Sequence, residues 1–218
     1  QEHVEQLPPR YLLYDHEQIA THLELIHRLD DGVVEVDFLE HQAHTEVIVC
    51  TRDQKQLLAK ICGVLAVNDI DILRADVHTR DDHVVLDIFQ VTDVDGDPVL
   101  PDWKKERVSE RLGEVIAGRL EVSKLFERYS THWDRRRKKG QSRPPEVEFE
   151  NQVSDRYTVI DTNVQDDVGL LYKITHALGE LELDIHMAIV NTIAQRAIDA
   201  FYVVDGRGEK IVNYEVLE

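Results

Sequence analysis

The chain has 218 residues, 42% of them apolar and 31% charged, which excludes a disordered chain and leaves room for one large domain or two small ones. Its formal net charge of −18 argues against nucleic acid or an anionic membrane as a partner. No apolar run approaches the ~20 residues of a membrane span, and no signal peptide is visible.

Residues 1–14 read as irregular, with Pro8-Pro9 stopping any helix and Tyr11-Leu12-Leu13-Tyr14 as an apolar anchor. Asp15 can cap a helix carrying Ile19, Leu23, Ile26 and Leu29 at helical spacing, and Asp30-Asp31-Gly32 ends it. Val33, Val34, Val36 and Phe38 then read as a strand. A unit opens at Thr45 with a strand whose two faces are both rather apolar, as in a sheet covered by helices. Leu57, Leu58, Ile61 and Leu65 form a helical stripe. Ile70, Ile72 and Val77 resume a strand, Thr79 to His83 turn it, and Val84 to Thr92 return it. Asp93 to Pro98 is a turn by composition, and Trp103, Val108, Leu112, Val115, Ile116 and Leu120 make a second helix.

Residues 123–145 read as a basic linker around Arg135-Arg136-Arg137-Lys138-Lys139 and Pro144-Pro145, with Val147 and Phe149 restoring a short strand. From Tyr157 the pattern starts again. Val159, Ile160 and Val164 lie on a strand, Leu170, Leu171, Ile174 and Leu178 on a helix, and Ile185 to Thr192 and Ile198 to Val204 on two more strands.

The two halves align. With an offset of 113, Asp53, Leu57, Leu58, Lys60, Ile61, Leu65, Asp71, Ile72, Ala75, Val77 and Thr79 meet identical residues from Asp166 to Thr192. One residue is lost at the hairpin, after which Asp87, Phe89, Val91, Asp93 and Gly96 meet Asp199, Phe201, Val203, Asp205 and Gly208. A duplication with its length change at a loop tip accounts for this pattern. The expected fold is α+β: two ferredoxin-like βαββαβ units with antiparallel sheets, each with helices on one face. The expected boundaries are 1–43 for a lead-in helix and strand, 44–122 for the first unit with its last strand at 146–150, 123–145 for the linker, and 154–218 for an incomplete second unit. The start at Gln1 rather than Met adds the expectation of a piece of a longer protein.

The run Asp166-Asp167-Val168-Gly169-Leu170-Leu171, with Asp184-Ile185 opening the next strand, resembles the ACT domain family of ferredoxin-like modules that bind amino acids and regulate an attached enzyme. Leu7 to Leu13, Ile19 to Ile26, Ser154 to Thr162 and Thr192 to Val204 are similar to the segments around the ACT pair of the bacterial PII uridylyltransferase family, bifunctional uridylyl-transferring and uridylyl-removing enzymes. The resemblance implies a cytoplasmic sensor of glutamine or another amino acid that controls catalytic domains acting on the PII nitrogen-signalling protein. It also implies a divalent metal such as magnesium for the parent enzyme. Neither the Gly-Ser with Asp-x-Asp signature nor a His-Asp dipeptide of those catalytic domains occurs in these 218 residues, so no catalytic residue and no cofactor is assigned here.

The resemblance places ligand binding at Asp166, Gly169, Leu170, Asp184 and Ile185, and at the first-unit counterparts Asp53, Leu57, Asp71 and Ile72. A helix N-terminus offers N–H groups and positive dipole to a ligand carboxylate, glycine permits close approach, and an aspartate can take the ammonium. The ordinary reading makes Asp166 a helix cap, Gly169 a turn, and Leu170 and Ile185 core. Gln56 stands where Gly169 does in the repeat, which favours the second unit as the binding one. Where the family carries Arg-Pro and Gly-Glu, this chain has Asp167-Val168 and Ala194-Gln195. The alternative function is a ligand-free ACT pair that dimerises or docks a protein, and a homodimer is among the expected assemblies. The eleven histidines include no zinc-motif spacing, so no metal ligand is assigned. Cys50 and Cys62, both in apolar periodic segments, read as buried thiols of a reducing compartment.

Overall fold

The computed structural model describes residues 11, 14–29, 32–133, 144–193 and 196–211, with the side chains of 130–133 excepted. The anchor residues Leu12 and Leu13, the helix stop at Asp30-Asp31, the basic run and Ala194-Gln195 lie outside them. Helix α1 (His16–Arg28) starts at a capping box: the Asp15 carboxylate accepts from the Glu17 and Gln18 amides while the Gln18 side chain accepts from the Asp15 amide. There follow β1 (Val34–Glu40), β2 (Thr45–Arg52), α2 (Leu57–Ala66), β3 (Ile70–Thr79), β4 (Val84–Asp93), α3 (Asp102–Ile116), α4 (Val122–Trp133), β5 (Glu146–Glu150), β6 (Thr158–Gln165), α5 (Leu170–Glu180), β7 (Asp184–Ile193) and β8 (Arg196–Val204).

All eight strands join one antiparallel sheet in the order β1-β2-β4-β3-β7-β8-β6-β5. The two halves of that order mirror each other about the β3–β7 seam, where Arg74, Ala75 and Asp76 pair with Asn191, Val190 and Ile189. The duplicated units therefore sit edge to edge, related by an internal two-fold. Helices α2 and α5 pack beside each other over the seam. One core cluster runs beneath α2, α3, α4 and α5 through both units, with Phe89 and Phe201 fully buried at matching positions. A second, smaller cluster of Tyr11, Leu25, Leu29, Ile48, Cys50 and Leu86 lies on the opposite face under α1.

Two expectations change. Residues 146–150 were expected to close the first unit, but they pair with β6 of the second. The lead-in strand β1 fills the corresponding place in the first unit by pairing with β2. Each unit thus receives its fourth-strand position from the strand that precedes it in the chain. The correspondence extends to register: Phe38 faces Val47 and Phe149 faces Ile160, and these two partners sit at equivalent positions of the repeat. The second unit's sheet therefore has four strands like the first.

The segment read as linker from residue 123 onward begins instead as α4. Val122, Leu125, Phe126 and Tyr129 recur at helical spacing, and Phe126 buries its ring 4.2 Å from that of Tyr172 on α5. The basic run further on had drawn the reading towards a linker and hidden this short stripe.

The helix layer is tightly drawn. A Cβ on Gly63 of α2 would stand 2.5 Å from Val122 Cγ2 and 2.9 Å from Tyr172 Cδ2, so glycine is what lets α2 approach both neighbours.

Candidate functional site

The two-fold creates two clefts, one at each helix N-terminus. Cleft one is bounded by Asp166, Asp167, Gly169, Leu170, Leu171 and Tyr172 of the second unit, and by Asp71, Ile72, Ile70, Cys62 and Ala66 of the first. Val190, Thr192, Ala197 and Asp199 form its floor. Cleft two has the repeat counterpart of every one of these residues, from Asp53, Gln54, Gln56 and Leu57 to Asp184, Ile185, Thr175 and Gly179. Counted out to solvent, they enclose about 380 and 440 Å³.

This geometry redistributes the expected site residues. Asp166, Gly169 and Leu170 had been grouped with Asp184 and Ile185 as one second-unit site. The structure sets them against Asp71 and Ile72 of the first unit. Asp184 and Ile185 lie in the other cleft, with Asp53 and Leu57. The cause is the seam: with β3 and β7 paired, each unit's strand–helix turn faces the opening of the other unit's second strand.

Both helices begin without a side-chain cap. Gly169 precedes α5 with φ +76°, and Gln56 precedes α2 with φ +58°, each in the left-handed region. Their positions in the turn are set by matched hydrogen bonds, Leu170 N–H to the Asp167 carbonyl and Leu57 N–H to the Gln54 carbonyl. The ordinary reading of Asp166 as a cap does not hold. Helix α5 starts after Gly169 with no side-chain hydrogen bond at its cap. The first-turn N–H groups beyond those of Leu170 and Leu57 have no acceptor within their own helix.

Both clefts are strongly acidic, and neither is lined by Lys or Arg. In cleft one, burial and then the Asp71 charge raise the Asp166 carboxyl to about 6. Burial, with the Asp166 charge adding to it, raises Asp199 to about 7, against a hydrogen bond from the Asn191 amide at 3.3 Å. Asp71 is raised by burial, with Asp167 contributing. In cleft two, burial pushes Asp87 well above its usual range and burial plus Asp184 raises Asp53. Asp184 is exposed and pairs with His186 at 3.4 Å.

Asp87 and Asp199 are site residues that motif reading passed over. They are 0% and 2% exposed, and neither Asp87 carboxylate oxygen has a well-aligned hydrogen bond, the His78 backbone being the donor nearest to supplying one. A signal for them was present. Asp87 alternates with Phe89 and Val91, and Asp199 with Phe201 and Val203, so each carboxylate lies on the core-facing side of its strand.

The clefts differ where Gly169 and Gln56 stand. The Gln56 side chain lies over α5, packed on Gly179, where an added Cβ would come within 2.6 Å of its Cγ. Its amide donates to Glu180 Oε1 at 3.3 Å. Cleft two therefore contains a side chain at the mouth that cleft one leaves open.

The chain is similar to curated proteins named bifunctional uridylyltransferase/uridylyl-removing enzyme. It is 34% identical to the one from Gluconobacter oxydans over 94% of this chain and 22% of that protein. For Rhodospirillum rubrum the values are 33%, 94% and 22%, and for Rhodopseudomonas palustris 34%, 82% and 19%. The chain thus spans about a fifth of the length of these relatives. No protein-family model and no solved structure matches it. No helix among the described residues is long and apolar enough to cross a membrane.

Proposed function

This chain is homologous along nearly all of its length to a segment of the bifunctional uridylyltransferase/uridylyl-removing enzymes, and we propose that it is their C-terminal regulatory region, a paired ACT module that senses an amino acid, glutamine first among them. The observation that carries this reading is the convergence of carboxylates from both units on an uncapped helix N-terminus in cleft one. An α-amino acid is complementary to that arrangement. Its carboxylate meets the first-turn N–H groups of α5 and the positive end of the helix. Its ammonium meets Asp71, Asp166 and Asp199, whose mutual repulsion it relieves. Gly169 leaves the backbone bare for the approach.

A ligand held between two units binds one arrangement of the seam better than another, which is the requirement for regulation. Coupling of roughly 1–3 kcal/mol would change the affinity or activity of attached domains about 5- to 150-fold. In this reading the regulated chemistry is transfer and removal of uridylyl groups on the PII protein by catalytic domains whose signatures are absent from these residues, and the parent's divalent metal belongs to those domains.

Titration calorimetry of the folded chain with L-glutamine, and then with other amino acids, tests the proposal. Saturable heat with one site per chain, lost in Asp166→Asn, is expected. Absence of heat with every amino acid would replace this reading by the ligand-free docking module.

A further inference from the structure

Away from both clefts, at the tip of the β1–β2 hairpin, the structure brings together three groups that sequence spacing had not connected. His41 and His44 close the hairpin, the His41 amide donating to the His44 carbonyl at 2.9 Å, and their rings stack with centroids 4.8 Å apart. Glu46 follows two residues after His44, which returns it to the same face of the extended chain. One ligand atom from each of His41, His44 and Glu46 lies within 4.8 Å of the others. We propose that this hairpin tip is a zinc-binding site, formed by two imidazoles and one carboxylate.

The chemistry of the donors fits the ion. Two imidazole nitrogens and a carboxylate are a recurrent zinc ligand set, and three protein ligands leave a coordination position for water. Donors around a tetrahedral zinc stand about 3.3 Å apart, given bonds of about 2.0–2.1 Å. His41 is exposed and its ring can swing to close the remaining gap. The two stacked rings, with centroids 4.8 Å apart, already bring both imidazoles to one side of the hairpin tip.

Glu46 is the less ordinary member. It is 5% exposed, on the face it shares with Ile48 and Cys50. No hydrogen bond or ion pair to it is seen among the described residues. A dication beside it supplies the compensating charge that a buried carboxylate otherwise lacks. The alternative thiol ligands are far from available, because Cys50 and Cys62 are both buried and their thiols are pushed up by burial.

The test is calorimetric titration of the metal-free chain with ZnCl2, with Co2+ absorption as a second readout of coordination geometry. One site per chain is expected, with a d–d band of tetrahedral cobalt that Zn2+ displaces. His41→Ala, His44→Ala and Glu46→Gln should each weaken zinc binding at least about tenfold, while His27→Ala leaves it unchanged. His41→Ala is decisive for an exposed position, since its circular dichroism should match the parent. Wild-type zinc affinity in a folded His41→Ala, or no saturable zinc binding by the parent chain, overturns the proposal.

Discussion

The two clefts are built from the same repeat, and they differ most at one position. In cleft one the residue before the helix is glycine and the mouth is bare; in cleft two it is Gln56, which bends into the left-handed region and lies down on Gly179 of the opposite helix. The carboxylates persist in both, Asp71, Asp166 and Asp199 against Asp184, Asp53 and Asp87. The electrostatic demand for a cationic group is therefore a property of the fold, while the side chain at the mouth differs between the two clefts. A duplicated module can hold two potential sites and set them apart by one residue without altering the scaffold.

That comparison can be broken most forcefully through what the clefts share. Phe89→Ala and Phe201→Ala remove equivalent, fully buried rings, and each should cost about 3–5 kcal/mol in urea unfolding. Because the sheet and core run through both units, both losses should appear in one cooperative transition. Two separate transitions would show that the clefts are joined more loosely than the shared core implies.

The next effect concerns the buried acids. Asp199 has a folded pKa of about 7, above its unfolded value of 3.8, so the folded state holds the proton more tightly. The stability this contributes is full below pH 4 and is lost as pH rises through about 7. At about 1.4 kcal/mol per pKa unit, the change is on the order of a few kcal/mol. Urea midpoints of Asp199→Asn between pH 4 and 8 should lose that downward slope. Bound glutamine should reduce the slope in the parent chain, because its ammonium favours the ionised acid. Asp87→Asn should act in the same direction, and a retained slope in both variants would remove the buried acids from the comparison.

A swap of the distinguishing residues gives the third effect. Gly169→Gln should weaken glutamine binding at least about tenfold, equivalent to about 1.4 kcal/mol. Gln56→Gly should raise the calorimetric stoichiometry from one towards two per chain. It should also stabilise the turn by about 1 kcal/mol, since a non-glycine residue no longer occupies positive φ. An unchanged stoichiometry would mean that cleft two is closed by more than Gln56. The smallest effect is expected from Gly179→Ala. Its Cβ displaces the flexible Gln56 side chain while helix propensity improves, so stability should move by less than about 1 kcal/mol. A glutamine titration of that variant would show whether displacement alone opens the second cleft.

The fold was readable because its two signals reinforced each other. Strand alternation and helix stripes gave the elements, and their recurrence at a fixed offset gave the unit. The positions of β1 and β5 were not readable, since pairing across a sheet leaves no trace in local periodicity. Nor was the mixing of residues between clefts: Asp166 and Asp184 are close in the chain and belong to the same repeat, yet the β3–β7 seam assigns them to different sites. Asp87 and Asp199 show a third limit. Their alternation with phenylalanine and valine marked them as inward-facing, but only the cleft gives an inward carboxylate something to do. The helix α4 was obscured by the basic residues beyond it, although Val122, Leu125, Phe126 and Tyr129 already carried its stripe.

Strands β1 and β5 have a consequence for how the chain is made. A ferredoxin-like unit ordinarily waits for its last strand before its sheet can close. Here the closing strand of each unit emerges from the ribosome first, and its partner β2 or β6 follows within a short loop. Synthesis proceeds from the N-terminus, and domains tend to fold as they emerge. The first sheet can therefore complete itself when β4 appears, presenting the free edge of β3 as a template before the second unit exists. The order of the chain becomes an order of assembly, in which the older half guides the newer one into register.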